Sequence, residues 1–138
     1  MKKLKIAILG STGSIGLSTL EVIKNDKLNF SVELLTANNS YIQLIKQAKF
    51  FKAKNVLINN KKHYEKVKHS LKNSSTKVFY GNTPVTDILK NKIDCTVSSI
   101  VGIAGLQPTL EVMKLCKKIA IANKETIICG WPILLKYK

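Results

Sequence analysis

The sequence alternates short apolar runs with segments of helical periodicity from end to end, and this alternation constrains the fold more than any other feature. Six apolar runs are predicted to be strands, at residues 4–9, 32–37, 55–58, 77–80, 95–98 and 119–122. Six helical segments follow them, at residues 15–24, 41–51, 64–71, 85–89, 109–116 and 126–137. Such alternation is typical of βαβ units, whose right-handed crossovers build a doubly wound, mainly parallel sheet with helices on both faces. We predict an α/β fold of this kind in a single domain of residues 1–138.

Length and composition indicate a folded chain with one hydrophobic core. The sequence has 138 residues, 45% of them hydrophobic, which argues against intrinsic disorder. No stretch reaches the roughly 20 apolar residues of a membrane-spanning helix, and the apolar run after Lys5 is too short for a secretion signal. Three cysteines without CxxC spacing indicate reduced, partly buried thiols. We therefore expect a cytoplasmic protein with no membrane partner.

The chain is strongly basic, with 23 basic residues, all of them Lys, against 8 acidic residues and a net charge of +15. Nucleic-acid surfaces commonly use the bidentate guanidinium of Arg, together with aromatic side chains that stack on single strands. Here the lysines are scattered along the whole sequence, so we interpret them as a solvated surface and expect no nucleic-acid partner. A functional basic face is the alternative, and salt-sensitive binding to random-sequence DNA would reveal it.

The residues that follow each strand are the informative ones, because doubly wound sheets bind ligands beyond the carboxyl ends of their strands. The first strand is followed by GSTGSIG at residues 10–16, a GxxGxxG variant of the dinucleotide-binding fingerprint. Gly10 would permit the tight turn, Gly13 would let the backbone approach a diphosphate, and Gly16 would let the helix pack on its strand. Backbone N–H groups at the helix start would bind the phosphates, and three hydroxyls would add donors: Ser11, Thr12 and Ser14. The alternative is a glycine-rich turn before an ordinary helix.

The second strand ends in TANNS at residues 36–40, where NAD-dependent enzymes commonly carry a carboxylate for the ribose 2′-hydroxyl. No carboxylate is present there, and Glu33 lies within the strand, where we expect it to point elsewhere. Asn38, Asn39 and Ser40 could donate hydrogen bonds to a 2′-phosphate, which favours NADPH over NADH. The alternative is that these residues only form a turn and cap the next helix.

The last two strands lead into loops of different character. Residues 98–105 have small residues at 102, 104 and 105, which would leave room for the nicotinamide end of a cofactor, unless the loop is shaped only for packing. The sixth strand is followed by Asn123, Lys124 and Glu125. Lys124 would meet a substrate phosphate, while Asn123 and Glu125 would fix a ribose or an amide. The alternative is an Asn helix cap with Glu in the first turn.

The remaining reactive side chains are interpreted as structural. His63 and His69 belong to a lysine-rich helical segment and are expected on a solvated face. Cys95 begins a buried strand and Cys116 lies on a predicted helix, so both are expected in the core. Trp131 is expected to serve packing or an interface.

Four segments together resemble one known family. GSTGSIG at 10–16, TANNS at 36–40, IVGIAGLQPT at 100–109 and ANKE at 122–125 occur in the order and at the spacings of the N-terminal domain of 1-deoxy-D-xylulose 5-phosphate reductoisomerase. The resemblance covers essentially the whole chain and implies a Rossmann-like, NADPH-binding domain. In that family an NADPH- and divalent-metal-dependent enzyme converts 1-deoxy-D-xylulose 5-phosphate to 2-C-methyl-D-erythritol 4-phosphate, in non-mevalonate isoprenoid biosynthesis.

The resemblance assigns roles position by position. Together with the fingerprint glycines Gly10 and Gly16, the implied cofactor-binding positions are Thr12, Gly13, Ser14, Ile15, Asn38, Asn39, Ser40, Asn123 and Glu125. Lys124 is implied to contact the sugar-phosphate substrate. Full-length members of the family are homodimers.

The resemblance also implies what the chain lacks. The family binds Mg²⁺ or Mn²⁺ through a carboxylate cluster that opens with an Asp-Ser-Glu-His motif, whereas no Asp or Glu follows Glu125 here. We therefore expect an N-terminal fragment without the family's catalytic, metal-binding and C-terminal domains, which keeps cofactor-binding geometry but has little or no catalysis by itself. Two alternatives stay open: a stand-alone NADP(H)-binding module, and another NADPH-dependent reductase, such as a semialdehyde dehydrogenase with a catalytic Cys and a partner His.

Overall fold

Six parallel strands form a single sheet, as the alternating sequence predicts. The structure is a computed structural model and describes residues 2–137. Its strands are β1 (Leu4–Leu9), β2 (Phe30–Ala37), β3 (Asn55–Ile58), β4 (Lys77–Tyr80), β5 (Ile93–Ser98) and β6 (Cys116–Ile121). They lie side by side in the order β4-β3-β2-β1-β5-β6, and every neighbouring pair is parallel. The chain winds outward in both directions from β1, which confirms the doubly wound topology.

Helices cover both faces of the sheet. They are α1 (Ser14–Asn25), α2 (Tyr41–Phe51), α3 (Tyr64–Ser70), α4 (Val85–Ile88), α5 (Leu106–Met113) and α6 (Lys124–Leu134). The buried layer under α1, α2 and α3 includes Ile8, Leu20, Leu35, Leu44, Val56 and Val67. The layer under α4 and α5 includes Ala7, Leu9, Leu34, Val85, Ile88 and Val112. Burial on both faces explains why the central strands are continuous apolar runs. None of the helices in the described part of the chain has the length and apolar character to cross a membrane.

The register of β1 against β2 shifts at one point, and this irregularity leaves Glu33 without a partner in the pairing. The Glu33 carboxylate accepts a hydrogen bond from the Ser31 hydroxyl at 2.9 Å and pairs with the Lys54 ammonium at 2.9 Å. The partners of Glu33 are thus a residue of its own strand and the residue that precedes β3. This agrees with the prediction that Glu33 does not point into the TANNS turn.

β2 and β5 begin two residues earlier than predicted, and the last third of the chain departs further from the predicted boundaries. The helix predicted at 109–116 is α5, which begins and ends earlier, and the strand predicted at 119–122 is β6, which begins earlier. Cys116 opens β6 and does not lie on a helix. Lys117 and Lys118 obscured this strand, because charged residues are unusual in strands except at a sheet edge, where they remain in solvent.

α6 also begins earlier than predicted. The sequence pattern predicts a helix at 126–137 with an irregular start at Gly130 and Pro132. Asn123 caps the first turn of α6, so the helix begins at Lys124 and contains both residues. Gly130 is buried, and a Cβ there would lie 2.5 Å from Leu106 Cδ1. The glycine therefore brings α6 close to α5 and does not break the helix.

The carboxyl ends of β2, β1, β5 and β6 lie next to one another along one edge of the sheet. The four loops singled out in the sequence follow these strands in that order, at residues 38–40, 10–16, 99–105 and 122–125. The direction of winding reverses between β1 and β5, which is where doubly wound folds bind nucleotides.

Candidate functional site

The loop after β1 depends on two glycines. Gly10 has φ +85°, a conformation that disfavours side chains, and its N–H donates to the Thr36 hydroxyl at 2.9 Å. A Cβ on Gly16 would lie 2.2 Å from the Gly10 carbonyl oxygen and 2.6 Å from Ser11 Cα. α1 therefore begins in direct contact with the end of β1, as the fingerprint predicts.

Gly13 lies between them in a different environment. Its φ of −80° and ψ of 176° suit any residue, and the nearest atom to an added Cβ would be the Gly10 carbonyl oxygen at 3.7 Å. The protein itself does not need a glycine here, and the missing Cβ leaves an open cradle. Within residues 2–137, the backbone N–H groups of Ser14, Ile15 and Gly16 have no acceptor, because they form the first turn of α1. Free N–H groups beside this cradle, at the positive end of a helix dipole, fit a diphosphate.

Ser11 does not add a hydroxyl to this cradle, contrary to the prediction. Its side chain is fully buried, and the hydroxyl lies 2.8 Å from Gln47 Oε1 and 3.3 Å from the Thr36 carbonyl oxygen. Thr12 is half-buried and Ser14 is exposed, so these two hydroxyls remain accessible. No local pattern in the sequence marks Gln47 as a partner of this loop, because it lies 36 residues from Ser11.

A groove of ≈ 440 Å³ lies beside the loop after β2 and the start of α2. Its lining residues are Asn39, Ser40, Tyr41, Ile42, Gln43 and Lys46. Asn38 Oδ1 accepts from Asn59 Nδ2 at 3.4 Å, and Asn39 Oδ1 accepts from Asn60 Nδ2 at 2.7 Å. Among the described residues, the side-chain NH₂ groups of Asn38 and Asn39 have no acceptor, and the Ser40 hydroxyl does not cap α2. This loop therefore keeps free donors, from which a 2′-phosphate could accept hydrogen bonds.

Lys46 brings a positive charge to this groove. It is the one charged residue among the lining residues of the groove in the described chain, and it is exposed. Residues 38–40 contain no cation of their own, and the helix that follows supplies one from its second turn.

His63 takes a position that the sequence analysis did not predict. It is half-buried and stacks on Tyr41, with the ring centroids 4.3 Å apart. The Lys66 ammonium lies 5.3 Å from the centroid of the same Tyr41 ring. The expectation of a solvated face is therefore wrong for His63, while His69 is exposed as expected.

The loop after β5 contains two glycines with unlike surroundings. Gly102 has φ +78°, and an added Cβ would meet no described atom within 4 Å. A Cβ on Gly105 would lie 2.8 Å from Asn123 Nδ2 and 2.8 Å from the Ile100 carbonyl oxygen. The room predicted at position 105 is therefore filled by Asn123, whereas Gly102 and the exposed Ala104 leave space beside the loop.

Asn123 is buried and holds this loop to the start of α6. Its Nδ2 donates to the carbonyl oxygens of Ile100 and Gly102, the second at 2.6 Å. Its Oδ1 accepts from the N–H groups of Glu125 at 2.9 Å and Thr126 at 3.3 Å. Both donors and both acceptor positions of the amide are thus engaged. Asn123 therefore caps α6, as the alternative interpretation of this segment predicts. It also connects the start of α6 to the loop after β5.

Short hydrogen bonds connect neighbouring loops. The Ser99 hydroxyl lies 2.9 Å from the Leu9 carbonyl oxygen and 3.2 Å from that of Gly10, which connects the loops after β1 and β5. Lys124, which is exposed, and Glu125, which is half-buried, form the first turn of α6 next to Asn123.

The other reactive groups do not form a metal centre. Burial raises the pKa of the Cys95 thiol and the pKa of the Cys116 thiol, which keeps both uncharged. Cys129 is exposed rather than partly buried, and all three cysteines are free. Within residues 2–137, no group of three His, Cys, Asp or Glu side chains is placed to hold a metal ion, so these residues do not fit a divalent cation.

Comparisons with known sequences identify one family. A family model described as 1-deoxy-D-xylulose 5-phosphate reductoisomerase matches residues 6–130. A protein of that name from Pelagibacter ubique is 49% identical over 134 residues, which are 96% of this chain and 34% of the relative. Another from Phocaeicola vulgatus is 43% identical over 135 residues, which are 97% of this chain and 35% of the relative. The chain thus spans about a third of the length of these curated relatives.

Solved structures share the fold over nearly the whole chain. The 1-deoxy-D-xylulose 5-phosphate reductoisomerase from Zymomonas mobilis in complex with NADPH has a TM-score of 0.92 at 32% identity, over 99% of this chain and 36% of that one. A DOX-P reductoisomerase in complex with NADPH, fosmidomycin and magnesium has a TM-score of 0.89 at 28% identity, over 97% of this chain and 33% of that one. The Rossmann-like α/β fold predicted from the motifs is confirmed.

Proposed function

Because the chain belongs to the 1-deoxy-D-xylulose 5-phosphate reductoisomerase family, we propose that residues 1–138 form an NADPH-binding domain. The open cradle at Gly13 carries this proposal. The backbone there tolerates any side chain, so the free N–H groups and the space beside them are best explained by a diphosphate. A solved relative with a TM-score of 0.92 is in complex with NADPH, which supports the same ligand.

Each of the four loops would contact a different part of the cofactor along the edge of the sheet. The glycine loop would bind the diphosphate, and the loop after β2 the adenosine 2′-phosphate. The loop after β5 and the start of α6 would border the nicotinamide. The proposed cofactor-binding residues are Gly10, Thr12, Gly13, Ser14, Ile15, Gly16, Asn38, Asn39, Ser40, Asn123 and Glu125. Asn123 would act mainly by holding its loop, because its amide is fully engaged. The bound cofactor would supply a hydride, while these residues bind and orient it.

The substrate of the complete protein is proposed to bind at the same edge of the sheet. We propose that the complete protein converts 1-deoxy-D-xylulose 5-phosphate to 2-C-methyl-D-erythritol 4-phosphate, with Lys124 contacting the phosphorylated substrate as a point charge. Mg²⁺ or Mn²⁺ ligands, a homodimer and a cytoplasmic location belong to the same proposal. The residues described here would bind the cofactor without catalysing the reaction, and turnover of the sugar phosphate by the purified 138-residue chain with Mg²⁺ would contradict this assignment.

Gly13→Val tests the diphosphate site directly. The added side chain would occupy the cradle, and we expect NADPH affinity to fall by about 2 kcal/mol or more, roughly 30-fold. The free energy of unfolding should fall by only about 1 kcal/mol, because valine is a poor helix cap. Isothermal titration with NADPH and denaturant unfolding measure the two effects.

Ser18→Val is the matched control, since it places the same side chain on the exposed face of α1, five residues further along. It should leave NADPH affinity unchanged. Unaltered affinity in Gly13→Val, or no NADPH binding by the unsubstituted chain, would overturn the proposed function.

Lys46→Met tests the preference for NADPH over NADH. The ammonium at the groove would attract the 2′-phosphate, and its loss should lower the ratio of NADPH to NADH affinity by about fivefold at most, as expected for a solvent-exposed charge. Lys49→Met, which removes an exposed lysine that does not line the groove, is the control. An equal change of the ratio in both variants would assign the effect to net charge and not to Lys46.

A further inference from the structure

A buried glutamine on the neighbouring helix forms hydrogen bonds with the glycine loop. Gln47 lies on the buried face of α2, with 7% of its surface exposed, and the other buried residues of that helix are Leu44 and Ala48. An amide in such a place costs free energy unless its hydrogen bonds are satisfied. Both ends of this amide contact one residue: the Ser11 hydroxyl donates to Gln47 Oε1 at 2.8 Å, and Gln47 Nε2 donates to the Ser11 carbonyl oxygen at 3.0 Å.

These contacts leave Ser11 with no free hydrogen-bonding group. Its N–H donates to the Thr36 carbonyl oxygen at 2.9 Å, and its hydroxyl and carbonyl are taken by Gln47. The preceding N–H, that of Gly10, is held by the Thr36 hydroxyl at 2.9 Å. The accessible part of the loop begins at the next residue, Thr12. The orientation of the free N–H groups is therefore set immediately upstream by a side chain from another helix.

The same helix forms the groove at the other end of the proposed cofactor site. Ser40 precedes α2, and Lys46, the neighbour of Gln47 in the chain, lines that groove. α2 thus contacts the diphosphate loop through Gln47 and the adenosine end through its first two turns. A shift of α2 relative to β1 would change the spacing between the two subsites.

We propose that Gln47 is a positioning residue, which holds the N–H groups of the glycine loop at the distance from the adenosine groove that one NADPH molecule requires. This inference rests on the proposed NADPH site. A group that acts in this way matters for a ligand that engages both subsites at once. It matters little for a ligand that engages the groove alone.

The experiment compares two ligands in Gln47→Met, a variant of similar side-chain volume without hydrogen bonds to Ser11. NADPH contains the diphosphate, and adenosine 2′-monophosphate lacks it. We expect affinity for NADPH to fall about tenfold, the effect of about 1.4 kcal/mol of lost buried hydrogen bonding. Affinity for adenosine 2′-monophosphate, measured by ligand-detected NMR, should change less than about twofold.

Gln43→Met is the matched control. It makes the same substitution one turn earlier on α2, at a residue that lines the groove and is not a hydrogen-bond partner of Ser11 in the described chain. It should move both affinities together and keep their ratio. Denaturant unfolding of each variant separates loss of stability from loss of positioning.

Ser11→Ala is a second variant in case Gln47→Met does not fold. It removes the hydroxyl and keeps the bond from Gln47 to the Ser11 carbonyl, so we expect about threefold weaker NADPH binding at constant affinity for adenosine 2′-monophosphate. An unchanged ratio of the two affinities in the folded variants would overturn the inference while leaving the NADPH site standing. Absence of NADPH binding by the unsubstituted chain would overturn the site and the inference together.

Discussion

The two glycine loops on either side of the winding reversal are fastened in similar ways but present different surfaces. A buried amide side chain beyond the neighbouring strand holds each loop: Gln47, within α2, binds the loop at 10–16, and Asn123, the cap of α6, binds the loop at 99–105. The first loop leaves backbone N–H groups free beside Gly13. The second exposes apolar side chains, with Val101 89% and Ile103 59% exposed.

This difference separates two kinds of recognition. Free N–H groups at a helix start bind an anion, whereas an apolar rim beside the open face of Gly102 suits a flat, weakly polar ring. The two amides differ as well, because Asn123 also caps α6, while Gln47 lies within α2. Loss of Asn123 should therefore cost more stability, and loss of Gln47 should act more selectively on cofactor binding.

The largest expected effect is on stability and comes from Gly16→Ala. Its Cβ would lie 2.2 Å from the Gly10 carbonyl oxygen, a backbone atom, so β1 and α1 would have to separate. We expect a loss of about 3 kcal/mol or more in the free energy of unfolding, measured by urea titration. Gly13→Ser is the control in the same loop and should be nearly neutral, because serine is a good helix cap. Equal costs at the two positions would show that the loop is not anchored at Gly16.

Asn123→Ala should have the next largest effect. It removes a helix cap and both donors to carbonyl oxygens of the second loop, and we expect a loss of about 2 kcal/mol in unfolding free energy. Asn123→Asp keeps the cap but not the donors, so it should leave α6 intact while amide hydrogen exchange of residues 100–105 accelerates. Asn82→Ala, at an exposed asparagine, is the control. If Asn123→Asp leaves exchange in the second loop unaltered, the bridge assigned to this amide is wrong.

Ser99→Ala should have the smallest effect and tests the connection between the loops. The hydroxyl bonds the Leu9 carbonyl oxygen at 2.9 Å, and its loss should cost about 1 kcal/mol of unfolding free energy. Ser18→Ala removes an exposed hydroxyl bond on α1 and should cost less. A cost as large as that of Asn123→Ala would mean that Ser99 anchors the second loop as strongly as the buried amide does.

Much of the fold follows from local sequence patterns. The bounds of β1, α2, β3 and β4 agree with the prediction, because each is an apolar run or a helical repeat ended by Gly, Asn or a lysine-rich turn. β2 and β5 begin two residues earlier than predicted, and the largest departures from the predicted boundaries begin at α5. There the edge strand β6 carries lysines, and Gly130 serves helix packing instead of ending a helix.

Local patterns in the sequence were enough to predict which loops follow the strand ends and where their glycines fall, since turn and helix-start chemistry depends on neighbouring residues. Which polar groups those loops leave free depends instead on packing between segments that are distant in the chain. Ser11 turns inward to Gln47 and Asn123 inward to Ile100, across separations of 36 and 23 residues. Buried polar atoms must find partners wherever packing brings them, and no local pattern in the sequence specifies that choice.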